Sequence, residues 1–188
     1  MSFQGPKADF GGRGQVKERG PLARRFRGSD TFKVDAKGRV SIPAPFRRVI
    51  EASDPDWTEG LRPSIVIVYG PESQDWLDVF SMEAVNEMDE QIGLMQRGSP
   101  DRLMIEELMY GQSFEAQIDD DGRLTIPQKY RDKIGLTNEA FFISSGDYFR
   151  IWNPEAYEAK AARRSAKRAD QYPEDFDPRS LLPSLPKG

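Results

Sequence analysis

VDAKGRVSIPAPFR, residues 34 to 47, returns as IDDDGRLTIPQKYR at residues 118 to 131. At a constant offset of 84 the two stretches share Asp35 with Asp119, Gly38 with Gly122, Arg39 with Arg123, Ile42 with Ile126, Pro43 with Pro127 and Arg47 with Arg131. Val34 with Ile118, Val40 with Leu124, Ser41 with Thr125 and Phe46 with Tyr130 are conservative replacements. Agreement of that length and register marks a duplicated unit.

Outward from this stretch, "DTFKVD" and "RVSIP" read as short strands joined across "AKG", where Gly38 supplies the positive φ of a tight hairpin turn. Pro43 ends the strand, and Phe46, Val49 and Ile50 in "PFRRVIE" fall at i, i+3, i+4, the spacing of an amphipathic helix. A polar loop with Pro55 and Gly60 leads to a buried strand, "SIVIVYG". The next strand, "DWLDVFS", alternates Trp76, Asp78 and Phe80 with Leu77 and Val79. Hairpin, helix, hairpin is the expected order. The second copy repeats it with "QID", the turn "DDG", "RLTIP", the helix "QKYRDKI" stopped by Gly135, and the strands "EAFFISS" and "DYFRIWN". There the offset falls to 72, so the first copy carries extra loop residues.

Each copy ends in a helix with a start signal: Ser81 before "MEAVNEM", and Asn153 before Pro154 with Glu155 and Glu158 in the first turn. "SPDRLMIEELMYG", capped by Ser99 and closed by Gly111, is the connecting helix. The expected layout is a flexible basic arm (1–25), a first repeat (26–98), the connecting helix (99–112), a second repeat with a basic C-terminal helix (113–169) and a disordered Pro-rich tail (170–188). One repeat buries little surface alone, so the two copies are expected to pack on each other through pseudo-twofold symmetry. The fold class this implies is α+β, mainly β, with short helices.

Composition narrows the function. The chain has 188 residues, no cysteine and no histidine. It therefore lacks a disulfide framework, thiolate and imidazole metal ligands, and the usual general base. The expectation is a protein that is not an enzyme and takes no cofactor, metal or small-molecule substrate. With neither a signal peptide nor a membrane-spanning apolar run, it is expected to be cytoplasmic.

Net charge is −4, but the charge is segregated: +8 over residues 1 to 50, −15 over 51 to 121 and +3 over 122 to 188. Screening over roughly 8 to 10 Å lets a polyanion respond to the local patch rather than to the sum.

At the first turn Lys33, Lys37, Arg39, Arg47 and Arg48 stand against one acid, Asp35, over residues 31 to 48. Lys33, Lys37, Arg39 and Arg47 are the candidate DNA contacts there, because arginine presents a planar pair of donors to phosphates and guanine edges. Arg39 has a second reading, a strut bonded to Asp35 across the turn, and the two roles coexist when the carboxylate holds the arginine in a binding pose. Asp35 with Gly38, and Asp119 with Gly122, are the turn-forming residues. In the second copy Ala36 becomes Asp120 and Lys37 becomes Asp121, so residues 115 to 133 hold four basic and five acidic side chains. Arg123 is therefore expected to be an auxiliary contact.

The acidic triplet Asp119 to Asp121 does not match a calcium loop, because that pattern registered on Gly122 puts Gln117 and Gln128 at the two end ligand positions. Lys160, Arg163, Arg164, Lys167 and Arg168 form a stripe on the C-terminal helix that either touches phosphate or a neighbouring subunit's acidic middle region, or is simply solvated. Trp76, Phe80, Tyr148 and Trp152 are expected in the core rather than stacked on bases.

The duplicated D-x-x-G-R-[VL]-[ST]-I-P-x-x-[FY]-R pattern, with "FRG" before the first copy and "FRIWNPEAYEA" after the second, resembles the MraZ family of bacterial transcriptional regulators. These are related to the AbrB and MazE swapped-hairpin proteins. The resemblance spans Phe26 to Ala161. It implies a double AbrB-like swapped-hairpin β-barrel, a ring-shaped homo-oligomer, and nucleoid association. It also implies binding to double-stranded promoter DNA at short direct repeats ahead of the division and cell-wall gene cluster. The family's D-x-x-x-R signature maps onto Asp35 with Arg39 and Asp119 with Arg123. Asp121 and the long basic arm depart from the family pattern. The competing expectation is a protein-binding module, an antitoxin-like or scaffold barrel whose tail engages a partner.

Overall fold

The computed structural model describes residues 25–184. The basic arm expected over residues 1–25 therefore lies, apart from Arg25, outside the described residues.

The first repeat contributes β1 (Ser29–Lys33), β2 (Arg39–Ser41), α1 (Ala44–Ala52), β3 (Ser64–Val68), β4 (Trp76–Ser81) and α2 (Met82–Leu94). A connecting α3 (Pro100–Glu106) runs on into a π-helical turn, Glu107–Gly111. The second repeat contributes β5 (Ser113–Gln117), β6 (Arg123–Thr125), α4 (Gln128–Lys133), β7 (Glu139–Ser144), β8 (Tyr148–Trp152) and α5 (Pro154–Gln171). Beyond α5, Tyr172 stacks on Phe176 and a 3-10 turn spans Pro178–Leu181.

The helix starts follow the local chemistry. Ser81, Ser99 and Asn153 each accept a hydrogen bond from the backbone N–H three residues on, which satisfies one of the four donors a helix leaves free at its start. Phe46, Val49 and Ile50 are the buried face of α1. Gly135, at φ +63°, ends α4.

Strand pairing departs from the sequence expectation in one respect. β3 with β4 and β7 with β8 are hairpins, as expected. β1 and β2 share only the single bridge Val34 to Val40 and then diverge. β1 pairs with β7 of the other repeat, and β5 pairs with β3 of the first. The result is a six-stranded antiparallel sheet in the order β1, β7, β8, β4, β3, β5, with β2 and β6 forming a separate two-stranded ribbon. The described residues do not form the closed barrel expected from the resemblance. Closure requires β1 to pair with β5, but the chain turns away after each strand, at Asp35 and at Asp119, to build the ribbon, and the two edge strands are not paired.

The registers define a pseudo-twofold axis. At the ribbon's centre Val40 faces Leu124, its counterpart at offset 84. At the sheet's centre Asp78 faces Arg150, its counterpart at offset 72. There Arg150 Nε donates to Asp78 Oδ1 at 2.7 Å. Trp76 stacks on Trp152 and Phe80 on Tyr148 at either side, across β4 and β8; of the four aromatics expected in the core only Trp152 is fully buried, because they stand on the sheet face away from the main core.

Both repeats feed one core. Ile65, Ile67, Leu77, Val79, Phe142 and Ile151 line the ribbon-facing side of the sheet, fully buried, against Val40, Leu124, Ile126 and α1. Phe149 meets the rings of Phe26, Phe46 and Phe142 at centroid distances of 5.1, 5.1 and 5.3 Å. Fully burying such a side chain stabilises the fold by about 1.5–3 kcal/mol. The opposite face of the sheet carries a smaller cluster, Val68, Ile92 and Met109, under α2 and the π turn. Among the described residues no helix is long and apolar enough to cross a membrane.

Candidate nucleic-acid interface

The ribbon has two unlike faces. Val40 and Leu124 point into the core, 1% and 0% exposed. Side chains alternate along a strand, and directly paired residues project to the same side. Arg39 faces Thr125 and Ser41 faces Arg123, so both arginines stand on the single outward face, two residues apart along the ribbon, roughly 7 Å.

Both turns share one scaffold, an aspartate that accepts from two backbone N–H groups and from the arginine Nε. Asp35 Oδ1 accepts from the backbone N–H of Lys37 and of Arg39, both at 2.9 Å. The Arg39 guanidinium then closes on Asp35 Oδ2 through Nε at 2.7 Å and Nη2 at 2.6 Å. In the second turn Asp119 Oδ1 accepts from the N–H of Asp121 and of Arg123, and Oδ2 from Arg123 Nε at 3.0 Å. Gly38 at φ +79° and Gly122 at φ +73° supply the left-handed residue that both turns require. Arg39 is thus tied to Asp35 while about a third of its side chain, 32%, stays exposed.

These bonds set the carboxyl titrations. The backbone N–H of Arg39, and then its side chain, lower the Asp35 pKa from 3.8 to about 2. For Asp119, burial acts against ionisation, yet the backbone and side chain of Arg123 together outweigh it and the pKa is lowered. Because the folded value of Asp35 lies below the unfolded one, its contribution to turn stability is complete above 3.8 and is lost as pH falls toward 2. An NMR titration of the Asp35 carboxyl carbon is expected to give a midpoint of about 2, and Arg39→Ala to raise it only partway, since the backbone donor remains. A midpoint near 3.8 in the wild type means that the turn is not closed in solution.

The turns differ in how much cation they leave free. Lys37 at the first tip and Lys33 at the end of β1 are exposed. In the second turn Arg123 is also held by Asp121, and Arg62 spans Asp120 with two hydrogen bonds, Nε to Oδ1 at 2.9 Å and Nη2 to Oδ2 at 2.6 Å. Every carboxylate of the acidic triplet is therefore committed to an arginine.

Strand exchange also trades the helix arginines. Arg47, grouped with the first turn in the sequence, lies against Gly122 of the second, and Arg131 lies against Gly38 of the first. Arg131 is not among the candidate contacts, and the sequence places it with the second turn, as a cation beside Arg123 and Lys129 and as the counterpart of Arg47. Arg62 gave no local signal at all, lying 58 residues from its partner.

An intertwined pair of D-x-x-G-R turns on an outward ribbon is what the fold defines at this point, and comparison with known proteins places it. The family model described as "MraZ protein, putative antitoxin-like" matches residues 109–177. A protein named "Transcriptional regulator MraZ" from Ruegeria pomeroyi is 50% identical over 161 residues, covering 86% of this chain and 96% of the relative. A protein of the same name from Cereibacter sphaeroides is 40% identical, covering 75% and 87%, and one from Rhizobium rhizogenes is 31% identical, covering 77% and 93%. The chain belongs to the MraZ family.

Proposed function

We propose that this chain is a sequence-specific DNA-binding transcriptional regulator that grips duplex DNA through the ribbon face. The observation that carries the reading is the ribbon itself: Arg39 and Arg123 share its outward face while Val40 and Leu124 anchor the inner face in the core. A two-stranded ribbon fits the major groove of B-DNA, and a rigid core behind it holds the arginines in register. Lys33, Lys37 and Arg39 supply most of the contact and Arg123 is auxiliary. Arg47, placed near the second turn, contributes from beside it.

The exchange of β1 and β5 between copies supports reading residues 26–98 and 113–169 as two AbrB-like swapped hairpins joined through 99–112. One chain offers one ribbon, so grip on short direct repeats comes from several copies in a ring-shaped homo-oligomer. The target is the promoter of the division and cell-wall gene cluster. Regulation proceeds by occupying promoter DNA, without chemistry, in the cytoplasm at the nucleoid. The relatives' shared name, transcriptional regulator, supports this reading.

If Lys33, Lys37, Arg39 and Arg47 each neutralise one phosphate, log K is expected to fall against log[salt] with a slope of roughly −3.6 per subunit engaged. Mobility shift on the chain's own upstream region across a salt series measures it. A slope near zero, with no preference for that region, favours the antitoxin-like protein-binding reading instead.

A further inference from the structure

Beside α3 the surface is apolar in a way that the fold does not use. None of the residues of α3 is buried. Met104 is 67% exposed and Leu94, at the end of α2, is 89% exposed. Pro71, Met95, Met104, Ile105 and Leu108 line a groove of about 700 Å³ with Asp101 and Glu107 at its margin. Scattered apolar side chains are ordinary on a protein surface, but a contiguous set around a groove marks a contact site. Residues 82–111 hold seven acidic and two basic side chains. Among the described residues only Glu106 of these acids is in an ion pair, with Arg102.

The C-terminal arm is the complement of this groove. Between Ala159 and Ala169, α5 carries five cations and no acid. Lys160 is held by Asp75 at 3.3 Å, and Arg164 lies over the Tyr157 ring. Arg163, Lys167 and Arg168 are exposed and form no ion pair among the described residues. Past the Tyr172 and Phe176 stack, Leu181 and Leu182 are 63% and 72% exposed. Among the described residues, none of α5 or of 172–184 lines the groove, so within one chain these residues do not meet it.

We propose that the α2–α3 groove receives the C-terminal arm of a second copy of this chain, with Leu181 and Leu182 in the apolar floor and the α5 cations along the acidic margin. Two independent complementarities point to this occupant, opposite sign of charge and matching apolar surface, and both ends are supplied by the same chain. Groove and arm are different surfaces, so the contact is head-to-tail and propagates from copy to copy until it closes. The inference rests on the self-association proposed above and names its surfaces.

Sedimentation velocity of the full-length chain tests it with two exposed-site variants, Met104→Arg in the groove and Leu181→Asp with Leu182→Asp in the arm. Each alone is expected to weaken self-association about tenfold or more while leaving the far-UV circular dichroism spectrum of the folded chain unchanged. Mixed in equal amounts, the two are expected to form dimers and nothing larger, because one keeps an intact arm and the other an intact groove. Raising salt is expected to weaken the wild-type assembly. Assembly that survives both variants overturns the proposal and leaves self-association standing. A groove variant that dissociates while the arm variant does not means that groove pairs with groove, which also overturns it. Arg163→Glu with Lys167→Glu that leaves assembly intact but flattens the salt slope on DNA assigns the arm to DNA instead. A wild type that stays monomeric at every concentration overturns both readings.

Discussion

Arg39→Ala is expected to abolish sequence-specific DNA binding and to shift folding stability by no more than about 1 kcal/mol. The small structural cost follows from geometry. The Asp35–Arg39 pair is solvent-accessible on both sides, and exposed pairs contribute roughly 0–1 kcal/mol. Asp35 also keeps its backbone donors from Lys37 and Arg39 after the side chain is gone. The large binding cost follows from repetition, since losing an arginine contact worth about 1–3 kcal/mol in every engaged subunit multiplies across an assembly. Mobility shift and a thermal melt on the same preparation separate the two effects. Arg123→Ala is expected to cost less binding, because its guanidinium is divided between Asp119 and Asp121. Equal losses from the two substitutions sink the asymmetry between the turns. A lowered melting temperature with DNA affinity intact makes Arg39 a turn strut and nothing more.

Gly38→Val is expected to be the most damaging single change to the fold, lowering stability by more than about 3 kcal/mol in urea unfolding. The residue sits at φ +79°, where a β-branched side chain is strained. Its Cβ lands 2.6 Å from the Ile126 carbonyl oxygen and 2.7 Å from Arg131 Nε. The carbonyl is backbone and cannot retreat, and Gly38 itself accepts the 2.8 Å hydrogen bond from Ile126 N–H that ties turn to ribbon. Gly122→Val meets the same dihedral problem at φ +73°, but its nearest obstacle is the guanidinium of Arg47, the far end of a flexible chain. The second substitution is expected to cost measurably less. Identical unfolding midpoints for the two mean that the dihedral alone sets the penalty and that the Ile126 carbonyl gives way.

How far the sequence could be read depended on the range of the interaction involved. The caps at Ser81, Ser99 and Asn153, the apolar face of α1 and the glycine turns each depend on residues within one turn of chain, and all were legible. The β3–β4 and β7–β8 hairpins were legible for the same reason. The partners of β1 and β5 were not. A tight turn fixes the direction of the chain over five residues but not what the strands pair with beyond it, and here one bridge, Val34 to Val40, is all that the expected hairpin retains. The same blindness covers the site. Arg47 and Arg131 change turns only because the repeats interlock, and Arg62 reaches Asp120 only because β3 lies beside β5. The mainly β class with short helices was readable from the short strand and helix patterns, whereas an open sheet with a ribbon laid across it, in place of a closed barrel, is decided by edge geometry that no short window contains.

The charge pair at the sheet's midpoint makes this molecule a heterotypic couple within a single polypeptide. Two first halves brought together would oppose carboxylate to carboxylate at position 78, and two second halves guanidinium to guanidinium at position 150, like charges set directly across neighbouring strands. Each half accordingly discriminates against its own kind, and covalent linkage keeps the unlike halves at a concentration where the right match is always at hand.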